Sequence, residues 1–154
     1  MTATAAPPPL ARSIGVTERA LRSLLEIRLR EARLSFAQWA ALNFLQVGGT
    51  LTVDELVQQQ IDTVAVAGPD EARAALDDLH ERGLTTHPQP TDPRSSVTLS
   101  DAGRAFFQPL LEESRAVTQE LWGDLPPADL EATHRTLTEI GRRAHVRRAT
   151  SATP

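Results

Sequence analysis

Residues 80–107, HERGLTTHPQPTDPRSSVTLSDAGRAFF, constrain the fold more than any other stretch. The segment opens on the end of a helix. Gly83 follows as a residue that must turn left-handed past a helix end. Leu84 to His87 and Ser96 to Leu99 are short and rich in Thr and Val, and a link of Pro, Asp and Ser joins them. That pattern predicts a hairpin with a long tip. Ser100 then suits an N-cap, with Asp101 in the first turn complementing the helix dipole. A hairpin carrying one arginine at its tip, Arg94, thus stands between two helical regions.

The surrounding sequence is helical. Ile14, Thr17, Leu21, Leu24 and Arg28 recur at helical spacing, with Leu25 and Leu29 widening the stripe, which predicts a helix over Leu10–Arg33. Ser35 caps a second helix, FAQWAALNFLQV, closed by Gly48-Gly49. Thr52 caps a third, VDELVQQQI, and Glu55 three residues on completes a capping box. Gly68-Pro69 is punctuation, with Pro69 fitting the first turn of a fourth helix, DEARAALDDLHER. Its buried stripe is Ala72, Ala75, Leu76 and Leu79. Beyond the hairpin, Phe106, Leu110, Val117 and Leu121 mark a fifth helix, with Phe107 and Leu111 alongside. Leu130, Leu137, Ile140 and Ala144 mark a sixth, ending near Arg148. The fold class is therefore mainly α with a small β-hairpin wing: a winged helix-turn-helix flanked by dimerisation helices. The long flanking helices exceed what one small core needs, so they are expected to pair with a second copy. Residues 1–9 and 149–154 read as disordered tails, 10–33 and 101–148 as the helical dimerisation region, and 34–100 as the winged helix-turn-helix.

Composition removes several kinds of chemistry. The 154 residues include no Cys, so disulfides and thiolate metal sites are excluded. The only Met is Met1. No apolar run approaches the ~18–20 residues of a membrane span. The start, MTATAAPPPL, lacks a basic region followed by an apolar one, so no secretory signal is read there and a cytoplasmic location is expected. All 16 basic residues are Arg, so phosphate contacts fall to Arg, backbone N–H groups, hydroxyls or amides. The four histidines, His80, His87, His134 and His145, show no pair spaced with carboxylates as a metal site would require. His134 falls on the apolar stripe of the sixth helix, as a core or interface histidine does. No phosphate-binding glycine loop or nucleophile elbow is present, and Asp77-Asp78 point apart on a helix. Neither an enzyme nor a cofactor is expected.

Four pieces in order resemble the MarR family of bacterial transcription regulators: LSFAQWAALNFL, LTVDEL, LDDLHERGL and TDPRSSVTLSDAGR, together spanning Leu34 to Arg104. The resemblance implies a homodimer built from the terminal helices and binding to a pseudo-palindromic operator in double-stranded DNA, with the fourth helix in the major groove and the hairpin as a wing in the minor groove. It implies a repressor released by a small aromatic or anionic effector. Arg94 matches the wing-tip arginine, whose charge suits a narrow minor groove. Asp92 matches the aspartate that would orient it by a charge-assisted bond. Ser95 and Ser96 would donate to phosphate, and Arg73 would approach the major groove. Phe36, Trp39 and Phe106, on helices that flank the family's effector pocket, are its candidate walls; plain core packing accounts for them equally.

Charge is unevenly spread. Thr50–Arg104 holds ten acids against four bases, a net −6, while the rest of the chain holds twelve bases against ten acids, a net +2. The segment matching the recognition helix, GPDEARAALDD, has Arg73 as its single base. Like charge opposes phosphate, so DNA binding is expected to lean on the wing. The connection before this helix is also expected to be about five residues longer than the family's tight turn. The alternative is a winged-helix dimer with degenerate DNA reading that acts through a ligand or protein partner.

Overall fold

A computed structural model describes residues 10–89 and 92–151. The expected tail over 1–9 lies outside these residues, as do 152–154. Among the described residues the order is α1 (Leu10–Glu31), α2 (Phe36–Gly48), β1 (Leu51–Thr52), α3 (Val53–Asp62), α4 (Pro69–Glu81), β2 (Thr85–Thr86), β3 (Ser96–Leu99), α5 (Asp101–Trp122) and α6 (Pro127–Ser151). The chain divides into two compact units, one ending at Glu112 and one starting at Glu113. No helix of the described residues is long and apolar enough to cross a membrane.

The helix boundaries follow from capping chemistry. Ser35 accepts from the Gln38 backbone N–H while the Gln38 side chain accepts from the Ser35 N–H, so two of the free donors at the start of α2 are satisfied. Thr52 and Glu55 do the same for α3, and these bonds from Thr52 hold the Glu55 carboxyl below its ordinary range. Pro69 opens α4 behind Gly68, and the Glu71 carboxylate accepts from the Ala67 N–H at 2.8 Å. At the other end of α4, Gly83 (φ 69°) donates to His80 O and Leu84 donates to Leu79 O. That paired pattern needs a left-handed residue, which is why a glycine stands there.

The same terminating pattern recurs twice without glycine. Arg33 (φ 52°) ends α1, with Leu34 donating to Leu29 O, and Val64 (φ 56°) ends α3, with Ala65 donating to Gln60 O. A β-branched residue in the left-handed region is strained. Val64 is also 65% exposed, so no burial compensates. The α3–α4 connection in which it lies covers 63–68.

The sheet has a strand more than the expected hairpin. β3 lies between β1 and β2, antiparallel to both, with Leu51 opposite Val97 and Thr85 opposite Leu99. Thr52 is therefore both a strand residue and a helix cap, and only the second role shows in its sequence. β2 is limited to two residues rather than four. α6 runs to Ser151, three residues past its expected end.

The core of the first unit gathers Leu42 and Leu45 of α2, Leu56 of α3, Leu76 and Leu79 of α4, Val97 of β3 and Phe107 of α5. From α1 only Leu29 is buried; Ile14 and Leu24 of its stripe lie exposed. The first turn of α5 locks this core to the hairpin. Ser100 N–H donates to Leu84 O (3.1 Å), and Ser100 Oγ donates to Gly83 O and accepts from Gly103 N–H. A Cβ on Gly103 would stand 1.9 Å from the Leu84 carbonyl oxygen. The obstacle is backbone, so it cannot swing aside.

Two glycine exchanges should act in opposite directions in urea unfolding. Gly103→Ala should lose about 3 kcal/mol or more, from overpacking against backbone. Val64→Gly should gain about 1 kcal/mol, as the left-handed strain is released against glycine's larger unfolded entropy. A tolerated Gly103→Ala would refute the close approach.

Candidate nucleic-acid interface

The wing tip is shaped by its own backbone. Asp92 N–H donates to Gln89 O, Ser95 N–H donates to Asp92 O, and Ser95 Oγ accepts from Gln89 N–H. The Asp92 carboxylate accepts from the backbone N–H of Arg94 at 2.9 Å, not from its guanidinium. The expected charge-assisted bond to the side chain is thus replaced by a turn that fixes the Arg94 main chain. The Arg94 side chain is exposed, with no ion pair among the described residues. Ser96 begins β3 and is exposed; Ser95 is half-buried. The tip is also tied to α3, since Val53 N–H donates to Ser95 O (3.1 Å) and Asp54 N–H donates to Pro93 O (3.0 Å). Sequence reading missed this tie, because backbone bonds carry no residue signature.

α4 buries Ala72, Ala75, Leu76 and Leu79. Its opposite line, Asp70, Ala74, Asp77 and Glu81, is exposed and carries three carboxylates. Arg73 sits at the edge of that line, its guanidinium 3.7 Å from the Asp54 carboxylate of α3. The other acids of α4 are engaged internally. Glu71 bonds Ala67, and Asp78, itself exposed, accepts from the Gln38 side chain and lies 3.6 Å from Arg82. Arg82 in turn donates to Arg33 O (2.9 Å) and Ala32 O (3.5 Å), placing a cation on the carbonyls just past the C-terminus of α1.

Of the three candidate effector-pocket residues, Phe36 and Trp39 stack with centroids 5.7 Å apart, and Arg22 of α1 lies 4.4 Å over the Phe36 ring. Phe106 lies separately under Arg82, 5.6 Å away. All three pack half-buried against the core. In the second unit, Glu139 pairs with Arg142 and Arg143, whose hydrogen bonds bring its carboxyl down to about 2. His134 on α6 is exposed.

The turn at Gly83 brings together two histidines that the sequence separates by seven positions. The rings of His80 (α4) and His87 meet edge to face, 5.7 Å between centroids. His87 is 4% exposed, and neither ring nitrogen has a partner among the described residues. Burial lowers its pKa, the neighbouring His80 lowers it further, and Asp77 opposes both.

No family model matches the chain, and no curated protein is significantly similar to it. Solved structures are. A MarR-family transcriptional regulator from Silicibacter pomeroyi is 24% identical, with 86% of this chain and 87% of that one covered at a TM-score of 0.71. NadR in complex with 4-hydroxyphenylacetate is 20% identical, covering 92% and 98% at a TM-score of 0.69. BpsR of Bordetella bronchiseptica, described for regulation of DNA binding by 6-hydroxynicotinic acid, is 19% identical, covering 86% and 94% at 0.67. These likenesses show the fold: a winged helix-turn-helix set among long helices, as in the MarR-family structures.

His87 makes stability depend on pH with a definite sign. His87 has a lower pKa folded than its ordinary 6.5, so the unfolded chain binds more protons between those two values. Its contribution is present above pH 6.5 and is lost as pH falls through the folded pKa. Thermal melts from pH 7.5 to 5 should show a falling melting temperature, and His87→Leu should flatten that fall. An unchanged slope in the variant would rule out His87 as its source.

Proposed function

We propose that the chain is a homodimeric, MarR-like winged helix-turn-helix transcription regulator that binds a pseudo-palindromic operator in duplex DNA, acts as a repressor, and is released by a small aromatic or anionic compound. The observation that carries this reading is the wing. It is built on a three-stranded sheet, tied at its tip to α3, and presents Arg94 with no ion-pair partner among the described residues. An arginine fixed at the end of a hairpin suits the negative potential of a narrow minor groove. Ser95 and Ser96 beside it would position the wing on phosphate, and Arg73 would approach the major groove.

Exposed apolar side chains support the dimer. Leu10, Ile14, Val16, Leu24 and Ile27 on α1, and Leu137, Ile140 and Val146 on α6, face solvent in the single chain. Apolar residues grouped along helices this way are commonly covered by a partner. The aromatic stack of Phe36 and Trp39 beneath the Arg22 cation supports an effector of aromatic and anionic character. NadR and BpsR, of the same fold, are associated with small hydroxylated aromatic acids.

A second reading has its own observation. The outward line of α4, Asp70, Ala74, Asp77 and Glu81, places carboxylates where a DNA reader would meet phosphates. That favours a dimeric scaffold acting through a ligand or protein partner. Arg94→Ala separates the two. If the wing binds DNA, the variant should bind all duplexes more weakly, and the slope of log affinity against log salt should fall by about one. Unchanged affinity and slope would remove the wing from the interface. Sedimentation showing a dimer without salt-sensitive DNA affinity would establish the second reading instead.

A further inference from the structure

The DNA-binding reading leaves a question about the only arginine within α4. Arg82, at its cap, is committed to the carbonyls of Ala32 and Arg33 and to Asp78, so Arg73 is the base that α4 offers to a phosphate. Its nearest charged group is Asp54, at 3.7 Å. Asp54 has a fixed main chain. Its backbone N–H is bonded to Pro93 O of the wing, and the preceding Val53 N–H to Ser95 O. The adjacent carboxylate, Glu55, is occupied by Thr52 in the capping box. One residue therefore touches all three elements of the proposed interface: α3 by membership, the wing through its backbone, and α4 through its side chain.

We propose that Asp54 is an intramolecular counter-ion for Arg73, holding the arginine in the free protein until a DNA phosphate takes its place, and so sets how strongly α4 engages DNA. This rests on the DNA-binding reading above. Both side chains are about half exposed, 48% for Arg73 and 62% for Asp54, so incoming phosphate has access to the pair. Exchange of one anion for another returns little net attraction, and α4 then contributes less than its arginine suggests. The wing must carry more of the binding. Because the pair is solvent-exposed, salt screens it, and its competition with phosphate fades as salt rises.

The test compares wild type, Asp54→Asn, Arg73→Gln and the double variant on one duplex, by fluorescence anisotropy at low and high salt. Asp54→Asn should tighten binding about two- to fivefold at low salt, the scale of a surface ion pair. The gain should shrink at high salt and nearly vanish in the Arg73→Gln background. Thermal melting checks each variant's fold, and Asp54→Ser, which also suits a first helical turn, substitutes if the Asn variant melts early. Equal tightening in both arginine backgrounds would mean that Asp54 simply repels phosphate, overturning the counter-ion. Wild-type binding that Asp54→Asn leaves unchanged would overturn it too, with the DNA-binding reading intact. No binding by wild type or Asp54→Asn at low salt would overturn both.

Discussion

The wing stays in place because the first turn of α5 lies directly on the backbone of Leu84 with no side chain between them. Ser100 and Gly103 make that contact, the serine by bonding to the carbonyls of Gly83 and Leu84, the glycine by having no Cβ. Leu84 is the residue that completes the end of α4 and leads into β2. A single joint thus fixes the end of α4, the base of the hairpin and the start of α5. The motif pieces that resemble the MarR family include this glycine, and its physical reason is steric exclusion rather than chain flexibility.

Around that joint, charge serves architecture first. Arg82 closes the C-terminus of α1, Asp78 joins Gln38 of α2 to α4, and Glu71 and Glu55 satisfy helix starts. Much of the acidity between Thr50 and Arg104 therefore has internal partners. What remains facing outward from α4 is the line of Asp70, Asp77 and Glu81, with Arg73 beside Asp54. Internal bonding places these acids without removing their charge, so the segment keeps its net −6. Arg94 remains the exposed cation of the wing tip.

Much of the fold was legible because its signals are local. Capping boxes at Ser35 and Thr52, Pro69 at a helix start, Gly83 past a helix end and short segments rich in Thr and Val in the hairpin each act within a few residues. What escaped was non-local or bore no side-chain signature. β1 is two residues whose strand character comes only from pairing with β3. Arg33 and Val64 end helices in a conformation that glycine normally marks. Asp92 was legible as a tip residue but not as a partner of the Arg94 backbone, since both bonds need the same residue type at the same spacing. The His80–His87 contact arises from the turn between them, and nothing in their separation announces it.

The proposed function rests on whether this scaffold prefers particular DNA. The direct measurement is fluorescence anisotropy of the purified wild-type protein against the DNA upstream of its own gene and a scrambled duplex of equal composition, across a salt series. A regulator of the proposed kind binds its upstream DNA more tightly than the scrambled duplex, with affinity for both falling steeply as salt rises. Equal and negligible binding to both at low salt would contradict it, and would assign the winged-helix scaffold to a ligand or protein partner instead.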